Sequence, residues 1–124
     1  MAAHFSNREL DVMKVLWSEG ASTVAEVRAG LRDDLAYTTV LTVLRTLESK
    51  GHVTRREEGR AHRYAAKVKE QTARRTALSR VIDRVFGGSA ELLLTQLVEE
   101  RNLSSDEITR LRDLMNSRLQ EPRS

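Results

Sequence analysis

Apolar side chains recur at helical spacing in six stretches of the chain, separated by polar or glycine-marked segments. The first stretch opens with Phe5-Ser6-Asn7-Arg8-Glu9-Leu10. Ser6 is placed to cap the backbone N–H of Glu9, Glu9 to reach back to Ser6, and Phe5 to staple against Leu10. Leu10, Met13, Leu16 and Trp17 then carry a helical stripe as far as Gly20. Thr23 and Glu26 repeat the capping pattern, and Val24, Val27 and Leu31 form the stripe of a short second helix. A third helix is predicted over 37–50, with Val40, Val43, Leu44 and Leu47 inward and Gly51 as the stop. Its start is weakly marked, because Ala36 offers no capping oxygen.

The period then changes. Segments 52–56 and 60–65 read as two short strands around Glu58-Gly59, an acidic-glycine pair of the kind that turns hairpins. Three helices and a hairpin in this order predict a winged helix-turn-helix over residues 1–67. The remainder, 68–124, returns to helical spacing. Leu78, Val81, Ile82 and Val85 line one helix that stops at Gly87-Gly88. Ser89 caps a second, which carries Leu92, Leu93, Leu94, Leu97 and Val98. Ser104 and Glu107 cap a third, along which Ile108, Leu111 and Met115 recur. The fold class predicted is mainly α, a winged helix-turn-helix followed by a three-helix C-terminal dimerisation segment. Three short helices enclose little core, so their surplus apolar surface is expected to be buried against a second copy. Leu78, Val81, Val85, Leu93, Leu94, Leu97, Leu111 and Met115 are the residues expected at that homodimer contact.

Composition narrows the function. The 124 residues include no cysteine, which excludes disulfides and thiolate metal sites. No apolar run reaches the roughly 18 residues of a membrane span, and no secretory h-region opens the chain, so a cytoplasmic protein without membrane insertion is expected. Net charge is +3, and its distribution is uneven. Residues 36–67 hold seven basic and three acidic side chains, against four and six in residues 1–35. A basic middle suits phosphate, although an ordinary solvated face would show the same excess. Catalysis has no support: His4, His52 and His62 lack ligand-spaced partners, and there is no phosphate loop, H-E-x-x-H or serine elbow. The chain is therefore read as a non-enzyme without cofactor or metal. Tyr37 and Tyr64 are expected at an interface edge, since the chain is only 4% aromatic and offers no stacking platform.

Between its buried rows, helix 37–50 presents Thr38, Thr39, Leu41, Thr42, Arg45 and Thr46. Threonine methyl and hydroxyl groups suit thymine methyls and base acceptors, and arginine suits guanine. Threonine is mildly unfavourable within a helix, so this density needs a reason; the alternative is a solvated polar face. In the hairpin, Arg55, Arg56, Arg60, His62 and Arg63 flank the turn; Arg60 and Arg63 are the cations expected at phosphates, Arg60 first because it is nearest the turn, while Glu57 and Glu58 weaken the patch. Alternation assigns Arg60, His62 and Tyr64 to one side and Ala61 and Arg63 to the other. Two functions remain open on these residues: operator binding through helix 37–50, or a winged-helix module that docks the same helix on a protein.

Five stretches taken in order, LDVMKVLW (Leu10–Trp17), AYTTVLTVLRTLESKG (Ala36–Gly51), RAHRYAA (Arg60–Ala66), VFGGSAELLLTQLVEE (Val85–Glu100) and LSSDEITRLRDLM (Leu103–Met115), resemble the penicillinase-repressor family, BlaI/MecI/CopY. The resemblance implies a homodimeric transcriptional repressor on double-stranded palindromic operator DNA of the TACA…TGTA type. It places the groove-reading helix on 37–50, with Thr38, Thr39, Thr42 and Arg45, and the wing on 52–65. Antibiotic-responsive members are cut by a membrane sensor protease at an Asn-Phe bond in an NFVE-like stretch. Gln96-Leu97-Val98-Glu99 stands there in this chain, which makes Gln96 and Leu97 the candidate cleavage position and such a protease a candidate partner. Copper-responsive members carry a C-terminal cysteine motif, which is lacking here.

Overall fold

A computed structural model describes residues 4–122. Its elements run α1 (Asn7–Glu19), β1 (Ser22–Thr23), α2 (Val24–Gly30), α3 (Tyr37–Ser49), β2 (Val53–Glu58), β3 (Ala61–Ala66), α4 (Glu70–Val85), α5 (Ala90–Glu100) and α6 (Ser105–Gln120). They divide into two compact units, one ending at Arg80 and the other starting at Val81. The first unit is a winged helix-turn-helix.

Local chemistry sets the ends of its helices. The Ser6 hydroxyl accepts from the Glu9 N–H, and the Glu9 carboxylate accepts from the Ser6 N–H at 2.7 Å. Thr23 and Glu26 make the same reciprocal pair at α2. α3 starts at Ala36 with no side-chain cap and ends in a Schellman motif. There the Gly51 N–H donates to the Glu48 carbonyl and the His52 N–H to that of Leu47, at 3.0 and 2.9 Å, with Gly51 at φ 82°.

Packing follows the predicted stripes with some shifts. Val12, Met13 and Leu16 of α1, Val24 and Val27 of α2, Val40, Leu44 and Leu47 of α3, Val53 of β2 and Tyr64 of β3 form one core. The inward row of α1 therefore includes Val12 in place of the expected Leu10, which is half-buried. Phe5 packs edge-on to Trp17 and against the His52 ring, at centroid separations of 6.2 and 4.6 Å. Val43 is half-buried, and Leu41, expected to face outward, packs partly on the core. Tyr64, expected at an interface edge, is completely buried.

The sheet is antiparallel in the order β1-β3-β2. Its hairpin turns on Gly59-Arg60, because Glu58 pairs with Ala61. Gly59 has φ 61°, the left-handed value that a type II′ turn places at its first central residue. The turn is thus one residue later than expected. Arg60 sits at the tip, outside the strand alternation that had grouped it with His62 and Tyr64. The third strand, β1, is too short to show a period and was not foreseen; it pairs Ser22 with Tyr64 and Thr23 with Arg63. Past the hairpin the first unit continues beyond Lys67. Val68 packs on the core, its carbonyl accepts from the Trp17 indole at 2.9 Å, and Ala73 is buried.

Gly30 ends α2 close against α1, where an added Cβ would stand 2.9 Å from Val15 Cγ1. Overpacking a stiff, buried valine costs about 1–3 kcal/mol, and the helix-propensity gain of alanine is at most about 1 kcal/mol and smaller at a helix end. Gly30→Ala is therefore expected to destabilise the unit by about 1 kcal/mol and lower the thermal midpoint by about 4–8 °C, as calorimetry would read. An unchanged or raised midpoint would show that Val15 yields at no cost.

In the second unit, Gly87 and Gly88 take positive φ after α4. The Ser89 hydroxyl caps α5 at the Leu92 N–H, and Ser104 with Glu107 caps α6. No side chain of α5 or α6 is buried.

Candidate nucleic-acid interface

Because Val40, Leu44 and Leu47 are fully buried, the orientation of α3 about its axis is fixed. Thr38, Thr39, Thr42, Arg45 and Thr46 are all exposed. Thr42 lies three or four residues from each of the other four, so it is the centre of the patch. Its hydroxyl donates to the Thr38 carbonyl at 2.9 Å, and the Thr46 hydroxyl donates to the Thr42 carbonyl at 3.0 Å. Those hydroxyl protons are spent within the helix. Each side chain retains a methyl group and acceptor lone pairs for an approaching surface. Arg45 enters no ion pair among the described residues, so its guanidinium donors are open.

Polar contacts hold the C-terminus of α3 and the loop that leads into it. At its C-terminus Lys50 Nζ bonds the Glu9 carboxylate at 2.9 Å, joining the helix to the start of α1. Burial raises the pKa of Glu9, but the Ser6 N–H and the Lys50 ammonium outweigh it and hold the carboxyl below its ordinary value. At the entry to α3, Arg28 Nε donates to the Leu35 carbonyl at 2.6 Å, and Arg8 bridges Asp11 and Asp33. Sequence spacing marks Glu9 as a cap but not as the partner of Lys50, and it marks neither Arg8 nor Arg28. Only the folded chain brings residues 25 and 41 positions apart together.

The wing separates its two candidate cations. Arg60 is exposed at the turn and forms no ion pair among the described residues. Arg63, expected at phosphates, is instead turned into the protein. Its Nη1 donates to the Ala21 carbonyl and to Glu26, both at 2.9 Å, and its Nε to Glu58. The Glu58 contact leads in raising the Arg63 pKa. In return Arg63 lowers the Glu58 pKa, while Glu26 is lowered first by the Thr23 N–H and then by Arg63. Glu58, expected only to dilute the basic patch, is thus a partner of the wing arginine. Arg63 is thus engaged within the protein through Nε and Nη1, while its Nη2 has no partner among the described residues. Arg55 is paired as well, with Glu48 at 3.5 Å.

The residues expected at a dimer contact fall into two groups. Leu78, Val81, Val85, Leu97 and Met115 are exposed, Val85 at 71%, whereas Leu93, Leu94 and Leu111 are half-buried. Gln96 and Leu97, the candidate cleavage position, are exposed within α5, and the Gln96 amide donates to Glu100 at 2.9 Å. A cut there would divide the apolar stripe of that helix. No helix among the described residues is long and apolar enough to cross a membrane.

A helix with a packed aliphatic side and an open threonine-arginine side, followed closely by a β-hairpin, defines the winged helix-turn-helix class of fold. The fold is similar to that of a MarR family protein from Bacillus stearothermophilus, with TM-score 0.51 and 19% identity over 95% of this chain and 75% of that one. The profile of the family described as Penicillinase repressor matches residues 5–117, so the chain belongs to the penicillinase-repressor (BlaI/MecI) family of transcriptional repressors. It is 27% identical to the methicillin resistance regulatory protein MecI of Staphylococcus aureus (strain N315), over 91% of this chain and 94% of that protein. It is 36% identical to the transcriptional regulator BlaI of Mycobacterium tuberculosis (strain ATCC 25618 / H37Rv), over 73% of this chain and 80% of that protein.

Proposed function

We propose that this chain is a homodimeric operator-binding repressor that lays α3 in the major groove of each half of a palindromic, TACA…TGTA-like site. The observation that carries the reading is the division of α3 into two sets without common members. Val40, Leu44 and Leu47 are fully buried, while Thr38, Thr39, Thr42, Arg45 and Thr46 are exposed. In this reading Arg45 bonds a guanine edge, the threonines meet thymine methyls, and Arg60 holds a phosphate beside the groove. Two-fold symmetry sets the half-sites about 34 Å apart, one helical turn. Helices α4 to α6 supply the dimer contact through Leu78, Val81, Val85, Leu93, Leu94, Leu97, Leu111 and Met115, supported by the lack of any buried side chain in α5 or α6. The rival reading, α3 docked on a protein, requires large apolar anchors, and Leu41, the large aliphatic candidate on that side, is packed partly on the core.

Equilibrium binding to an inverted-repeat duplex and to a scrambled one of equal length tests the proposal; equal affinity would refute it. Thr42 gives the finer test. With its hydroxyl proton committed to the Thr38 carbonyl, Thr42 cannot donate to a base, and this reading assigns the contact to its methyl rather than to the acceptor lone pairs. Thr42→Val is then expected to keep specific affinity, and Thr42→Ser to lose about fourfold per half-site, the worth of one buried methyl. Replacing the duplex thymines with deoxyuridine should reproduce the loss. Retention by serine with loss by valine would assign the reading to the hydroxyl.

A further inference from the structure

We infer that Arg63 controls DNA binding as a positioning residue: its guanidinium ties the wing to the start of α2 and so sets where Arg60 meets the phosphate backbone. The inference rests on the operator-binding reading given above.

The β1–β3 ladder consists of Ser22 with Tyr64 and Thr23 with Arg63. Arg63 is therefore the last wing residue with a third strand beside it. Beyond it, from the Glu57–His62 pair to Glu58–Ala61 and the Gly59-Arg60 turn, the hairpin is a two-stranded ribbon. Such a ribbon is only marginally stable alone, so its direction needs a further constraint. Arg63 supplies one from the root of the ribbon. Its Nη1 reaches the Ala21 carbonyl and Glu26, each at 2.9 Å and 42 and 37 residues away in sequence, while its Nε holds Glu58 at the end of β2. Glu26 is itself fixed, since its carboxylate accepts the Thr23 N–H that begins α2 at 2.8 Å. One planar, multi-donor group thereby links the helix-turn-helix frame to the residue just before the turn that carries Arg60.

The side chain of Arg63 is only 21% exposed, whereas those of Glu26 and Glu58 are about half exposed, at 54% and 51%. Ion pairs as open as these add little to global stability. The consequence lies in the direction of the wing, and it yields a sign that simple charge counting gets wrong. Glu58 is an anion beside a phosphate-binding tip, so its neutralisation alone would be expected to strengthen DNA binding. If Glu58 is the handle by which Arg63 holds the tip, neutralisation weakens binding.

The test uses the full chain and an inverted-repeat TACA…TGTA duplex, read by fluorescence anisotropy across a salt series, with a melting curve for each variant. Glu58→Gln is expected to weaken binding about twofold to fivefold, the range of an exposed ion pair, with its melting midpoint little changed. Arg60→Ala and Arg63→Gln should each reduce the salt slope by about one per protomer, and the double variant should reduce it no further. Arg63→Lys should fail to rescue, because one ammonium nitrogen cannot occupy the two separate positions from which Nε holds Glu58 and Nη1 holds Ala21 and Glu26. Tighter binding by Glu58→Gln, a double variant with additive losses, or full rescue by lysine would overturn the inference and return Arg63 to a direct phosphate contact. A slope unchanged in Arg63→Gln with a lowered midpoint would overturn it in favour of stability alone. Wild-type protein that binds the repeat no better than scrambled duplex would instead bring down the operator reading, and this inference with it.

Discussion

Replacing Arg45 with alanine is expected to reduce the preference for the inverted repeat over scrambled DNA by about tenfold to a hundredfold per half-site, the worth of a bidentate arginine–guanine pair. Arg45 carries this expectation because it is exposed beside Thr42, three residues on, and forms no ion pair among the described residues. Competition binding with both duplexes in one titration would measure it. A base contact predicts that affinity for the scrambled duplex stays close to wild type. A phosphate contact predicts an equal loss on both, with a salt slope lowered by about one per contact. Arg45→Lys separates the cases again, since lysine retains the charge but not the paired donors that match guanine.

The second large effect concerns the apolar face of the second unit. Leu97→Asp combined with Met115→Asp is expected to convert a dimer to a monomer in sedimentation equilibrium. Both positions are exposed, at 40% and 45%, so the single chain loses little packing when they change. A desolvated contact between two copies, by contrast, cannot absorb unpaired carboxylates. Affinity for the full inverted repeat should then fall by about 10²-fold or more, because the second half-site is no longer held at high effective concentration. Affinity for an isolated half-site should be unchanged. A variant that remains dimeric would exclude these residues from the contact, and a monomer with full-site affinity intact would show that pairing plays no part in binding.

What the sequence made legible is what local chemistry decides. The reciprocal caps Ser6/Glu9, Thr23/Glu26 and Ser104/Glu107 span three residues each, and all are formed. The third helix could be placed because Val40, Leu44 and Leu47 keep the helical period and Gly51 stops it. The exposed positions Thr38, Thr39, Thr42, Arg45 and Thr46 followed from the same period. The misses arise at longer range or finer scale. β1 has two residues and exists only through its pairing with Tyr64 and Arg63. The role of Arg63 depends on Ala21 and Glu26, which no spacing rule connects to it. A hairpin turn one residue later than expected was enough to remove Arg60 from the alternation and put it at the tip. The direction of the threonine hydroxyls is a rotamer choice that composition cannot reveal.

Only Lys50, Gly51 and His52 separate the end of α3 from the start of β2, and two hydrogen bonds close that joint. The short joint leaves little slack between α3 and the root of the hairpin, and in the proposed reading it couples the groove-reading helix to the phosphate-holding wing. If α3 rolled in a groove, the hairpin would swing with it, so a half-site of the wrong sequence would also be held badly by its sugar-phosphate rails. The packed row, meanwhile, contributes nothing to the outward one. If the open row reads the operator as proposed, a change of dialect from one operator to another needs only new side chains on that row, with the mould that casts the helix left untouched.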